Sequence, residues 1–254
     1  MSISGFTFCH NALEGGYPIV EAINAVRNIV TEIVAVDMES TDGTRDVLKK
    51  LGCRIIEGQW YPVGGGDHAC LDVNWAFYTE CKESHVLHFE ADEVFSPSLI
   101  YQIYRIHNNY KFRNCDLNIH VPRIQVEQNF QRIRWYPTWV HRLWNTKDTS
   151  IIRHGHTTDV KTGEFISVDY GYLWDVTYNF RDNLVDRLRN NSILHGGDPN
   201  YTFVPYHCTL PVRLSLQGFE EIIKEPHWEW KTSPFNLPES LKLLVGKTRY
   251  EVNL

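Results

Sequence analysis

Along the first 110 residues, apolar stretches alternate between two spacings. Ile3–Cys9 reads as a buried strand. The loop Gly15-Gly16-Tyr17-Pro18 follows, with Pro18 suited to the first turn of a helix. Ile19, Val20, Ile23, Val26, Ile29 and Val30 then recur at helical spacing. Ile33–Asp37 reads as a second buried strand. Ser40-Thr41-Asp42-Gly43-Thr44 is a turn rich in helix-capping residues, and Val47, Leu48 and Leu51 carry the next helix until Gly52 stops it. Cys53–Glu57 makes a third strand. Ala69, Cys70, Val73, Ala76, Phe77 and Cys81 mark one face of a further helix. His85–Glu90 is a fourth strand, and Ser96-Pro97 opens a helix bearing Leu99, Ile100, Ile103 and Tyr104.

Strands alternating with helices predict an α/β fold, a mostly parallel sheet flanked by helices and joined by right-handed crossovers. Such sheets bind ligands beyond the carboxyl ends of their strands, where the strand order reverses. The residues to watch are therefore Asp37, after the second strand, and Glu90-Ala91-Asp92-Glu93, after the fourth. Beyond residue 110 the alternation fades into a less regular, mixed half. Asp116–Val126 and Thr138–Trp144 look like strands, and Asn179–Ile193 and Pro238–Val245 like helices, with Gly246 a natural stop. There is no internal repeat, and no Ser/Gly-rich tether separates residues 1–110 from 111–254.

Composition narrows the class. With 43% apolar residues in 254, the chain can bury a core without disulfides or a structural metal. Its net charge of −6 argues against a general nucleic-acid binder. The charge is uneven: residues 1–110 hold 7 Lys/Arg against 15 Asp/Glu, and residues 111–254 hold 18 against 16. Six cysteines without a C-x-x-C pair read as reduced thiols of a cytoplasmic protein. No basic leader precedes Arg27, and no apolar run approaches the ~18 residues of a membrane span; peripheral attachment to a membrane is left open. The first βα turn lacks G-x-G-x-x-G. Gly64-Gly65-Gly66 lacks the G-K-[ST] of a P-loop, so it reads as a flexible loop.

Asp37, Asp42 and Asp92, with Glu90 and Glu93 nearby, are placed at one sheet edge by this reading. Like charges gathered there need a cation. Mg²⁺ or Mn²⁺ suits hard oxygen ligands, keeps several waters and bridges to phosphates, which points to a nucleoside-diphosphate ligand.

These residues resemble a known family. Asp37-Met38-Glu39-Ser40-Thr41-Asp42-Gly43-Thr44 is similar to the D-x-x-S-T-D-G-T signature of family-2, GT-A-fold glycosyltransferases. Asn11, Glu14 and Pro18 resemble that family's first βα unit, and Ala69 and Asn74 its Ala…Asn helix. His88-Phe89-Glu90-Ala91-Asp92-Glu93 resembles its D-x-D region, with Glu90 departing from the usual Asp. The resemblance covers about residues 1–105. It implies a GT-A-like unit in which 1–110 is the nucleotide-sugar-binding half and 111–254 the acceptor-binding half. It implies that Asp37 contacts ribose or a uracil-type base, that Asp42 sits beside the nucleotide, and that Asn11, Glu14, Asn74, Glu90 and Ala91 line the donor. Asp92 would carry the Mn²⁺ or Mg²⁺ that stabilises the departing diphosphate. The implied reaction is a metal-dependent, inverting glycosyl transfer from a UDP- or GDP-sugar to a glycan, lipid-linked or protein acceptor.

The second half offers weaker signals. Eleven of residues 125–180 are aromatic, among them Trp135, Tyr136, Trp139, Trp144, Tyr170, Tyr172 and Trp174. Such faces either stack on sugars or build a second core. Arg123, Arg132, Arg134, Arg142, Lys147 and Arg153 could hold a diphosphate or an anionic acceptor. His141-Arg142-Leu143-Trp144 and His154-Gly155-His156-Thr157-Thr158-Asp159 are the nearest match to a family pattern that implies a metal-completing histidine, here His156. Asp159, close to it in sequence, is the candidate general base. Two alternatives stay open: a catalytically silent carbohydrate- or partner-binding module, and a sugar nucleotidyltransferase. The absence of Lys and Arg from residues 1–26 counts against the second.

Overall fold

A computed structural model describes residues 2–60, 66–111, 117–127, 132–133, 138–145, 152–153, 157–158, 164–168, 170–178, 201–203, 213–215, 231–232, 237–245, 247 and 249–252. The first strand, β1 (Ile3–Cys9), leads to α1 (Ile19–Val26), a 3-10 turn (Arg27–Ile29) and β2 (Glu32–Met38). Next come α2 (Thr44–Lys50), β3 (Arg54–Gly58), α3 (Gly66–Thr79) and β4 (His85–His88). Then follow β5 (Glu93–Phe95), α4 (Pro97–Lys111), β6 (Leu117–Glu127), β7 (Arg132–Ile133) and β8 (Thr138–Asn145). The short β9 (Ile152–Arg153) and β10 (Thr157–Thr158) pair with each other. Beyond them lie β11 (Glu164–Ser167), β12 (Leu173–Tyr178) and a final short helix, Glu239–Lys242.

The sequence reading holds for β1 to β4 within one or two residues. The first helix is shorter than its apolar spacing predicts. After Val26 the chain tightens into a 3-10 turn, and Val30 is already extended (φ −115°, ψ 152°) on its way into β2. The fourth strand ends at His88, leaving Glu90–Asp92 in a turn. The expected helix at 179–193 lies outside the described residues. The expected helix at 238–245 is helical only over Glu239–Lys242.

The protein is α/β. Strands β3, β2, β1 and β4 lie side by side in that order and run parallel. The chain leaves β1 toward one edge and returns to its other side at β4, so the strand order reverses between β1 and β4. The sheet then continues antiparallel through β8 and β6. β12 runs parallel to β6 and antiparallel to β5.

Alternation along each strand feeds two cores. Ile3, Cys9, Ile33 and Ala35 join Ile19, Ala22, Ile23 and Val26 of α1, Val47 and Leu48 of α2, and Leu99 and Ile103 of α4. Phe6, Val34, Val36 and Met38 join Val73, Ala76 and Phe77 of α3 on the opposite face. Four buried residues of α1 recur at i, i+3, i+4 and i+7. Burying each large aliphatic is worth roughly 1.5–3 kcal/mol, so this stripe rather than helix propensity fixes so short a helix. Leu241, Leu244 and Tyr250 close the first core from the C-terminal side, and Tyr250 donates its hydroxyl to Glu21 Oε2 at 2.7 Å. Among the described residues, no helix is long and apolar enough to cross a membrane.

Candidate functional site

The carboxyl ends of β1, β2 and β4 carry three loops. The first two are tied together. Asp42 accepts a hydrogen bond from the Glu14 amide through Oδ2 (2.7 Å) and one from the Thr44 amide through Oδ1 (3.0 Å). Asn11 accepts from the Thr41 amide (2.8 Å) and donates through Nδ2 to Glu14 (3.0 Å). The Asn11 amide donates to Ser40 Oγ (2.9 Å), and the Leu13 amide to Thr44 Oγ1 (3.2 Å). The S-T-D-G-T turn is thus a clasp holding the β1–α1 loop to the N-terminus of α2. Gly43, at φ +93°, makes the corner that an L side chain would resist. Asn11 and Glu39 also have positive φ, at 46° and 54°. Asn tolerates this region, whereas for Glu39 it costs roughly 1–2 kcal/mol.

Asp37 stands at the end of β2 and is 1% exposed. Among the described residues, neither of its carboxylate oxygens has a hydrogen-bond partner. The guanidinium of Arg45 lies 3.8 Å away but is shared with Glu57 and is 39% exposed. For a buried carboxylate this is unusual, because an ionised group in the interior ordinarily collects donors. Nearby, burial together with the charges of Asp37 and Asp42 pushes the Cys9 thiol well above its ordinary value, so Cys9 stays protonated and inert. His10 stacks on Trp60 (4.0 Å between centroids, 4° between planes) and its Nδ1 meets the Met38 carbonyl at 2.5 Å. Sequence reasoning did not single out either residue. Their pairing depends on β1, β2 and β3 being adjacent, which no local spacing records.

The third loop is organised differently. Glu93 is buried and receives Nε (2.8 Å) and Nη2 (2.5 Å) of Arg142, itself 3% exposed, and Nη2 also reaches Glu90 at 3.0 Å. Burial pushes the Glu93 carboxyl upward against the pull of Arg142, and the charge of Glu90 adds to the rise. Burial works against the Arg142 charge, but Glu93 and Glu90 outweigh it and hold its pKa above the ordinary value. Arg123 lies 3.9 Å from Glu93 and 3.8 Å from Asp175, which also accepts from Gln125 Nε2 at 3.0 Å.

This corrects one expectation. Arg142, read from the sequence as a cation for a diphosphate or acceptor, is buried and committed to Glu93 and Glu90. The aromatic residues divide: Trp144 and Trp174 are core, whereas Trp139 and Tyr170 are 49% and 67% exposed. Asn74 is half-buried on α3, where Ala69 also lies; Ala91 and Asp92 are buried in the turn after β4. His156 and Asp159 lie outside the described residues.

Among the described residues, no three His, Cys, Asp or Glu side chains converge on a common metal position. A divalent ion that draws most of its ligands from water and phosphate needs less. Glu90 and Glu93 are engaged by Arg142, and Asp92, a residue with hard oxygen atoms, lies between them at the carboxyl edge of the sheet, where folds of this kind bind ligands. That donor set fits Mg²⁺ or Mn²⁺ and does not fit a closed zinc cage.

A parallel sheet with a strand-order reversal, and a buried carboxylate and an acidic turn at the same edge, make this an α/β unit with a candidate ligand site. The chain is similar to bacterial glycosyltransferases. An uncharacterized glycosyltransferase of Rickettsia prowazekii (strain Madrid E) is 34% identical over 191 residues, covering 71% of this chain and 61% of the relative. Another, from Rickettsia felis, is 29% identical over 145 residues, covering 55% of this chain and 47% of the relative. The chain thus spans about half to three fifths of the curated relatives it matches. No protein-family model matches it. A crystal structure of Staphylococcus aureus TarS aligns over 74% of this chain and 38% of that one, at 12% identity and a TM-score of 0.47. At that score the fold rests on this chain's own strand order.

Proposed function

We propose that the chain is the catalytic unit of a metal-dependent, inverting glycosyltransferase that takes its sugar from a UDP- or GDP-type donor. One observation carries the reading: Asp37, buried at the reversal edge with no hydrogen-bond donor among the described residues, is a carboxylate awaiting donors from a ligand. Ribose hydroxyls or a base N–H supply such donors. The relatives named glycosyltransferases support glycosyl transfer as the class of reaction.

In this reading Asn11, Glu14 and Asp42 act through one another, holding the two loops in place around the nucleotide so that little ordering entropy is lost on binding. Asp92 would hold Mn²⁺ or Mg²⁺, with His156 proposed as a second ligand from the other half. A bound ion neutralises the charge that develops on the departing diphosphate. Asp159 is the proposed base that takes the acceptor hydroxyl proton. A glycan, a lipid-linked sugar or a protein would serve as acceptor, on the side where Trp139 and Tyr170 are exposed.

The test is release of free nucleotide from a panel of UDP- and GDP-sugars, with Mn²⁺ and with EDTA. Turnover of at least one donor, abolished by EDTA, is expected. A protein that binds nucleotide-sugar but never releases nucleotide would be a binding module, and the enzymatic reading would be wrong.

A further inference from the structure

The turn that carries Asp92 is held from two directions by the second half of the chain. Its side chains are held by β8 through the fork of Arg142 on Glu93 and Glu90. Its backbone is held by β12, where the Val176 amide donates to the Asp92 carbonyl at 3.0 Å. Within the turn, the Glu90 amide donates to Glu93 Oε2 at 3.0 Å.

Arg142 reaches the turn because β8 is irregular there. Ile119 of β6 pairs with Leu143, but the next residue, His120, pairs with His141. Arg142 is therefore the extra residue of a β-bulge, a feature that re-aims a side chain out of the regular alternation. Stability gives little reason for this arrangement, since a buried ion pair does no better than a well-packed apolar pair of similar volume. A planar fork does what a hydrophobic pair cannot: it fixes two carboxylates relative to each other.

We propose that Arg142 is a positioning residue that sets the Glu90–Glu93 turn, and through it the place at which Asp92 meets a divalent cation and diphosphate. This rests on the donor-site reading above. Arg142 itself touches neither cation nor nucleotide. Its role is to hold the carboxylates of Glu90 and Glu93 in one fork and so fix the turn on which Asp92 lies.

The test compares the full chain with two variants, Arg142→Lys and the double variant Arg142→Met with Glu93→Leu. Calorimetry measures Mn²⁺ binding in the presence of UDP or GDP, nucleotide binding in EDTA, and thermal melting. Lysine keeps the charge but loses the fork, and should weaken Mn²⁺ binding about 10- to 100-fold, the usual effect of removing a residue that orients a metal ligand. Nucleotide binding in EDTA should be unchanged. The double variant should melt at or above the wild-type temperature and show the same loss of Mn²⁺ binding. Wild-type Mn²⁺ affinity in a folded double variant would mean that the pair only fills space, and would overturn the inference. So would failure of both variants to fold, since the cluster would then be required for the fold itself. A wild-type chain whose nucleotide binding ignores Mn²⁺ would instead overturn the metal-dependent reading on which the inference rests.

Discussion

Asp37→Asn is expected to make the ligand-free protein more stable and the nucleotide-bound protein weaker. The substitution preserves shape and removes one charge from a site that is 1% exposed and, among the described residues, gives its oxygens no hydrogen bond. Leaving a buried carboxylate without hydrogen-bond donors costs more than the roughly 1–3 kcal/mol of a neutral polar group. Two effects reduce what is regained. The contact with Arg45, at 3.8 Å from a half-exposed guanidinium already on Glu57, is worth about 1 kcal/mol or less. The new amide is itself polar and buried, at about 1–3 kcal/mol. The net gain is about 1–2 kcal/mol. For a chain of this size that raises the melting temperature by about 2–8 °C. In the complex the sign reverses. Hydrogen bonds to a charged acceptor are worth about 1.5–3 kcal/mol, so UDP or GDP should bind about 10- to 150-fold more weakly. Melting curves without ligand and calorimetry with nucleotide and Mn²⁺ measure the two effects separately. An Asp37→Asn protein that melts below the wild type without ligand, or binds nucleotide as tightly, would refute the claim that this carboxylate is kept for a ligand.

Asp42→Ala removes the acceptor for two backbone amides and should cost about 1–2 kcal/mol, with weaker nucleotide binding; equal melting and binding would show that the clasp does not shape the site. Gly171→Ala should destabilise by more than 2 kcal/mol, roughly, because φ is +92° and a Cβ would lie 2.3 Å from the Leu99 nitrogen at the start of α4; a melting temperature within a degree of wild type would contradict this. His141 faces His120 across β8 and β6, and burial first, then the charges of His120 and Arg142, lowers its pKa to about 4. A lowered folded-state pKa means that the neutral ring contributes stability present above the unfolded value near 6.5 and lost as pH falls toward 4. Denaturant melts at pH 7, 5.5 and 4.5 should therefore show a steeper loss for wild type than for His141→Phe; parallel losses would remove this pair from the acid response.

Much of the first 110 residues was legible because their signals are local. A strand buried on both faces, such as Ile33–Asp37, and a capping turn, such as Ser40–Thr44, each carry their information within a few residues. Asp37 could be singled out because it ends such a strand. Asp42 was legible as part of the site, but not as the residue whose two oxygens bind the Glu14 and Thr44 amides. The helical spacing of Ile29 and Val30 misled, because apolar residues leading into β2 continue the pattern after the helix has stopped. What stayed hidden is non-local. Three-residue β5 exists only because β12 pairs with it. The bulge at Arg142 depends on register across two strands, and the pairing of Glu93 with Arg142 joins residues 49 positions apart. Charge alone placed each with a phosphate or a metal; burial placed them with each other.

On the proposed function, the carboxyl edge of β1, β2 and β4 holds a nucleoside diphosphate through Asp37 and a divalent cation at Asp92. A crystal structure of the protein soaked with UDP- or GDP-sugar and Mn²⁺ tests it directly. Ribose or base is expected within hydrogen-bond distance of the Asp37 carboxylate, and Mn²⁺ between Asp92 and the diphosphate. Nucleotide bound away from Asp37, or an Asp92 that contacts neither metal nor phosphate in the occupied site, would contradict it.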